Sequence, residues 1–208
     1  MIRLLGRQTS GNVQKVIFCL EEIGVPYIRE DYGRQFGNTV TDAYRKLNPN
    51  AKVPTLIDGD PVIWESHTIL RYLAAVHKPA LSGATAPERS MVERWMDWLL
   101  ASLNTPYVAV FKDAKKAPQE RAADFAAQHA DLLAQLKILD DHIAGREWFA
   151  LDRFTIADIA LGPIVKRCLE FPIERPAYPG LERWQAAIDA RPAFAVAIGR
   201  SERAQAAG

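Results

Sequence analysis

Short apolar strand-like runs bounded by turn residues recur before His77, and from Ala86 onward the apolar residues follow helical spacing with no strand pattern among them. A chain with this asymmetry folds as a mixed α/β half followed by a helical half. Ile2 to Leu5 reads as a strand and Gly6 to Gly11 as a polar loop, and Val13, Val16, Ile17, Leu20 and Ile23 recur at helical spacing. Gly24-Val25-Pro26 stops that helix, and the run from Tyr27 to Tyr32 predicts a second strand, so the crossover is a right-handed βαβ unit. Thr41 precedes a short helix ending near Leu47, and Asn48-Pro49-Asn50 is a turn. Thr55-Leu56-Ile57 and Val62-Ile63-Trp64 flank Asp58-Gly59-Asp60, the pattern of an antiparallel hairpin. Ser66 is the expected N-cap of a helix whose apolar residues Ile69, Leu70, Leu73 and Val76 share one face.

The order βαβαββα predicts a thioredoxin-like domain over residues 1–77, with strand order 2-1-3-4 and strand 4 antiparallel. Pro79, Ser82, Gly83 and Thr85 mark a linker, and 87–208 is expected to be an all-α domain. Thr85 with Glu88 forms a capping pattern. Helices are predicted from Pro87 to Phe111, Pro118 to Ala144, Thr155 to Leu169 and Leu181 to Ala190, with a rigid loop from Phe171 to Gly180 and a fraying tail from Ser201 to Gly208.

The formal net charge of +1 creates no global field for nucleic acid or an anionic membrane, and no run of apolar residues is long enough to span a bilayer. Met1 to Leu5 has no cleavage site behind it, so a cytoplasmic protein is expected. The two cysteines, Cys19 and Cys168, lie in apolar helical patterns, where they read as buried, inert thiols, and no Cys/His cluster suggests a metal.

Two blocks carry a specific resemblance: Asn48-Pro49-Asn50-Ala51-Lys52-Val53-Pro54-Thr55-Leu56, and Trp64-Glu65-Ser66-His67-Thr68-Ile69-Leu70-Arg71-Tyr72-Leu73. With them the chain resembles the cytosolic glutathione transferases, and Phe154-Thr155-Ile156-Ala157-Asp158-Ile159 extends the likeness to the capping box of that family's central helix. The resemblance implies glutathione as co-substrate and no metal. It implies a cis Val53–Pro54 bond that turns the Val53 backbone toward an extended peptide. It also implies that Ser66, at a helix start, takes the γ-glutamyl carboxylate while Glu65 meets the α-ammonium. Lys52 is a candidate for the glycyl carboxylate, beside its plainer reading as a solvated turn lysine.

The loop from Arg7 to Val16 should supply the group that stabilises the thiolate. It holds neither tyrosine nor cysteine, so the serine-type (theta-like) and asparagine-bearing bacterial members are the relevant comparison. Ser10 and Asn12 are the candidate catalytic residues and Thr9 a competitor, and the alternative that Ser10 and Asn12 only cap the first helix stays open. A free thiol has a pKa near 8.5, and one hydrogen bond to the anion, worth about 1.5–3 kcal/mol, depresses it by one to two units.

Tyr107, Phe111 and Thr9 are the candidate lining of an electrophile pocket, Trp95 and Trp98 read as packing residues, and the Arg34 to Asn38 segment is a further candidate to overhang the cleft. The expected reaction is transfer of glutathione to a hydrophobic electrophile. A glutathione-dependent disulfide or peroxide reductase is the second reading and a non-catalytic ligand-binding or regulatory member the third. The resemblance further implies a homodimer.

Overall fold

A computed structural model describes residues 1–202. Residues 203–208, most of the expected fraying tail, lie outside the described residues. The chain divides into two compact units, one formed by Met1–Ser82 together with the segment from Asp189, the other by Gly83–Ile188.

In the first unit, β1 (Ile2–Leu5) is followed by α1 (Gly11–Ile23), β2 (Tyr27–Glu30), α2 (Asp42–Leu47), β3 (Thr55–Ile57), β4 (Val62–Trp64) and α3 (Ser66–His77). The sheet order is β2-β1-β3-β4, as the sequence predicts. β1 and β2 are parallel, while β3 is antiparallel to both β1 and β4. The strand reversed against the other three is therefore β3, and β4 is antiparallel only to its neighbour. Leu4 on β1 and Leu56 on β3 face each other in register and are fully buried, with Val13, Val16, Ile17 and Leu20 of α1 in the same core. Gly24 ends α1 in the left-handed region at φ 72°, where a side chain would strain the turn. Thr41 caps α2 by accepting the Tyr44 N–H.

The chain returns to this unit at its end. α9 (Pro192–Ala197) packs against α1, with the Phe18 and Phe194 rings edge to face at 5.0 Å and Arg191 in a two-pronged pair with Glu22 at 2.5 and 2.8 Å. The segment from Asp189 thus packs with the first unit, although it follows the helices of the second in the chain. A six-residue helix between Arg191 and Ile198 has too few turns for a clear periodic signal.

The second unit holds α4 (Ala86–Trp98), α5 (Asn104–Asp113), α6 (Phe125–Ile143), α7 (Ile156–Glu170) and α8 (Pro179–Asp189). The single helix expected from Pro87 to Phe111 is interrupted by a π-helical segment, Leu99–Leu103, in which the Asn104 N–H reaches back to the Leu99 carbonyl. Pro106 explains the interruption: it lacks the N–H that would continue the ladder and its ring crowds the carbonyl one turn earlier. The expected start at Pro118 is also corrected, because Pro118–Glu120 is a short 3-10 turn and α6 begins only at Phe125. Trp95 packs on Trp98, His142 and Phe149, in keeping with its reading as a packing residue. Thr155 caps α7, and Asp158 completes the capping box from a fully buried position.

Both cysteines are buried, and desolvation pushes the Cys19 thiol up to about 12 and the Cys168 thiol higher still. Among the described residues, no helix is long and apolar enough to cross a membrane.

Candidate functional site

Strand register brings the candidate residues of the first unit to one end of its sheet. Leu5, the last residue of β1, lies opposite Glu30, the last of β2, and opposite Thr55, the first of β3, which in turn lies opposite Trp64, the last of β4. The four segments leaving this edge are therefore the loop at 6–10, the loop after β2, the approach to β3 through Lys52-Val53-Pro54, and the Glu65-Ser66 entry to α3. Two candidate blocks far apart in sequence meet because the hairpin folds them onto the same edge.

The approach to β3 is held from beneath. The Lys52 carbonyl accepts from the Tyr44 hydroxyl at 2.7 Å and from the Asn48 amide at 2.9 Å, while the Tyr44 hydroxyl and Asn48 amide also reach the Thr55 hydroxyl at 2.9 and 3.2 Å. Asn48 additionally bonds the Asn50 N–H, and Tyr44 stacks on Tyr32. The Asn-Pro-Asn turn is thus tied to α2 by side chains that are almost fully buried, which fixes the position of the residues after it. Val53–Pro54 is cis.

A cavity of about 300 Å³ opens here, lined by Arg7, Ser10, Asn12, Gly33, Arg34, Thr39, Ala51, Lys52 and Val53. It unites four of the residues expected from the sequence: Ser10, Asn12, Lys52 and Val53. Pro54 is buried directly behind Val53, and Thr9 is exposed on the neighbouring loop without lining the cavity. Ser10 occupies the N-cap position of α1, with its carbonyl accepting the Gln14 N–H, yet its side chain makes no cap bond. The hydroxyl is nearly buried at the cavity wall instead, and Asn12, the second residue of the helix, is exposed.

Ser66 is not the N-cap. It is the first helical residue of α3, and Glu65 takes the cap position with φ 69° and ψ 118° and no side-chain cap bond. A non-glycine residue at this φ is strained, and such strain persists where the surrounding structure imposes it, commonly at a ligand site. The first helical bond runs from the Ile69 N–H to the Glu65 carbonyl, so the first-turn N–H groups of α3 point past the sheet edge. Ser66 is buried and Glu65 exposed, a donor-rich helix start beside a carboxylate.

Sequence reasoning missed Arg7, Gly33, Thr39 and Ala51 as cavity residues and left Arg34 only as part of an overhanging segment. Gly33 sits at φ 87°, and a Cβ there would come within 2.8 Å of the Arg7 guanidinium. A glycine just after a strand was the available signal, because it marks a close approach of another group to the backbone. Three cations, Arg7, Arg34 and Lys52, therefore border one small cavity.

In the second unit the Tyr107 and Phe111 rings lie with centroids 6.0 Å apart, and Phe171 joins both. Tyr107 is buried and Phe111 is 39% exposed.

The glutathione S-transferase N-terminal domain profile matches residues 9–76, and the C-terminal domain profile matches residues 93–192. Glutathione S-transferase GstB of Escherichia coli is 34% identical over 200 residues, covering 93% of this chain and 95% of that protein. The theta class glutathione S-transferase of Xanthomonas axonopodis pv. citri, solved with glutathione bound, superposes with a TM-score of 0.90 at 40% identity, over 95% of this chain and 96% of that one. The disulfide-bond oxidoreductase YfcG of Escherichia coli is 27% identical, over 90% of each chain. On the strength of both domain matches and these full-length relatives, the chain belongs to the glutathione S-transferase family.

Proposed function

We propose that the protein binds glutathione along the loop edge of its sheet, holds the thiol as a thiolate beside Ser10 and Asn12, and joins the sulfur to a hydrophobic electrophile. The observation that carries this reading is the convergence of Ser10, Asn12, Lys52 and Val53 on one cavity at the edge where Glu65 and Ser66 also emerge. An extended tripeptide pairs its backbone with Val53, sets its γ-glutamyl carboxylate at the start of α3 against Ser66, and sets its ammonium by Glu65. Lys52 and Arg34 take the glycyl carboxylate. The thiol proton leaves to solvent, and the Ser10 hydroxyl or Asn12 amide donates to the anion that remains. The thiolate then attacks the electrophilic carbon, a carbon–sulfur bond forms, and the leaving group departs with its electron pair.

Titration with glutathione, followed by assays with an aryl halide, a hydroperoxide and a small disulfide, tests this reading. Conjugation of the aryl halide is the expected dominant activity. Asn12 at the cavity and the likeness to a disulfide-bond oxidoreductase favour a second reading, which faster turnover of the disulfide would establish instead. Glutathione binding with no turnover of any of the three would leave a ligand-binding member.

Glu65→Ala and Ser66→Ala are each expected to weaken glutathione binding by about 1.5–3 kcal/mol, the range of a hydrogen bond to a charged group. Calorimetric titration of the folded variants decides it, and unchanged affinity in both would remove Glu65 and Ser66 from the site.

The reading includes a cytoplasmic homodimer. Val62 and Trp64, on the edge strand β4, and Met91 and Leu100, in the helical unit, are large apolar side chains left exposed in a single chain, and the net charge of +1 opposes self-association little. Sedimentation at micromolar protein is expected to give twice the 23.2 kDa chain mass. A species of chain mass would contradict the dimer.

A further inference from the structure

The helical unit contains a cavity of about 290 Å³ whose chemistry is not simply apolar. It is lined by Phe111, Ala114, Lys115, Arg167, Glu170, Phe171 and Pro172. Phe111 and Phe171 lie with centroids 6.3 Å apart, and Tyr107 stacks on Phe171 from behind at 6.1 Å with the planes 19° apart. Phe171, with the Phe111 ring tilted 55° to it, forms an aromatic wall against which a flat ring can stack. The Arg167 guanidinium lies 5.8 Å from the Phe111 ring centre and 3.4 Å from the Tyr107 hydroxyl. Those contacts aim it along the aromatic wall.

The charges around the cavity are unequal. Arg167 and Lys115 are both cationic, and Lys112 follows Phe111 on the same helix. The one acid in the lining, Glu170, is paired with Lys166 at 2.8 Å, which offsets its charge. Asp113 is turned away, with its carboxylate on Lys116 and the Ala122 N–H. An aromatic slot rimmed by positive charge discriminates by charge as well as by area.

We propose that this cavity is a subsite for planar aromatic electrophiles carrying an anionic substituent, with Phe111 and Phe171 taking the ring and Arg167 and Lys115 the charge. The inference rests on the reading of the protein as a transferase and narrows its substrate class. A carboxylate or sulfonate on the ring is recognised here by the same guanidinium geometry, and the carboxylate is the form to test.

Two matched pairs of probes separate binding from chemistry. 3,5-Dinitrobenzoate and its uncharged amide report binding without reaction. 4-Chloro-3,5-dinitrobenzoate and its amide report turnover, in which the thiolate sulfur bonds to the ring carbon bearing chlorine and chloride leaves with the bonding pair. Rates are divided by those of free glutathione with each compound, which removes the difference in intrinsic reactivity. The benzoate is expected to bind, and to be turned over relative to the free reaction, about tenfold better than the amide, the effect of one charge-assisted contact.

Arg167→Gln is expected to abolish that ratio, Arg167→Lys to keep part of it, and Lys115→Gln, at an exposed position, to reduce it about twofold to threefold. If Arg167→Gln fails to fold, Lys115→Gln and the salt dependence of the wild-type ratio carry the test, because a charge-based preference falls as salt rises. Turnover of both chloro compounds with no preference, or a preference untouched by the variants and by salt, overturns the inference and leaves the transferase reading standing. No glutathione binding and no turnover of either compound overturns the transferase reading, while a preference for 3,5-dinitrobenzoate over its amide would still uphold the subsite.

Discussion

Asp158→Ala is expected to destabilise the protein by about 4 kcal/mol, the scale seen when a buried charge-centred network loses its centre. The carboxylate is fully buried and accepts from the Phe149 N–H at 3.1 Å, the Trp184 indole N–H at 3.0 Å, the Thr155 N–H at 3.0 Å and the Thr155 hydroxyl at 3.2 Å. Alanine leaves buried N–H groups from three different segments without that acceptor, and it opens a void beneath Trp184, whose ring meets Phe149 edge to face at 4.9 Å. For a chain of this length the loss corresponds to a melting point lower by roughly 8–16 °C. Thermal melts, together with the fluorescence of the tryptophans, check it. A loss below about 1 kcal/mol would reduce Asp158 to an ordinary helix cap.

The pH dependence of this cap runs opposite to that of a surface carboxylate. Burial pushes Asp158 up to about 6, while the hydrogen bonds from Phe149, Thr155 and Trp184 pull it back toward its usual value. An unfolded aspartate ionises near 3.9, so between about 3.9 and 6 the native state holds a proton that the unfolded chain has lost. The stabilising contribution of that proton is present below about 3.9 and is lost as pH rises through about 6. Measured against Asp158→Asn, which does not titrate, the wild type should therefore gain relative stability from pH 7 to pH 4.5. Denaturant midpoints of the two proteins at those pH values provide the measurement.

The second large effect is expected at the thiol. Ser10→Ala should raise the pKa of bound glutathione by about one unit or more, which lowers the thiolate fraction, and with it the rate, by about tenfold or more at low pH. The deficit should shrink as pH rises through the new pKa. If Asn12 is the main donor, Asn12→Ala shows this pattern instead and Ser10→Ala changes little, since the Ser10 side chain makes no cap bond to lose. Thiolate absorbance of the glutathione complex against pH separates the two. Wild-type titration in both variants would shift the role to Thr9 or to a backbone N–H.

Much of this architecture is legible along the chain because the signals are local. Thr55–Ile57 and Val62–Trp64 were bounded by the Asp-Gly-Asp turn between them. Gly24 marked a left-handed helix end, and Thr41 and Thr155 marked helix starts, each through contacts spanning no more than four residues. The family motifs identified Lys52, Val53, Pro54, Glu65 and Ser66 as a group, yet no sequence spacing relates them to Ser10 and Asn12.

Other relations are encoded by no local pattern and arise only when the chain packs. Strand pairing placed 6–10, 52–54 and 65–66 on one edge, because register is set between chains of residues far apart in sequence. Glu65 rather than Ser66 became the cap of α3, at a positive φ that glutamate would not choose alone. α9 returned to α1 through Phe194 and Arg191, and Arg7 lay over Gly33, through contacts made in space. Arg167 and Phe171 joined Phe111 in the same way, across more than fifty residues of intervening chain. Periodicity and capping act over one or two turns and are therefore written in the sequence, whereas the convergence of charges and rings on a cavity is produced by packing.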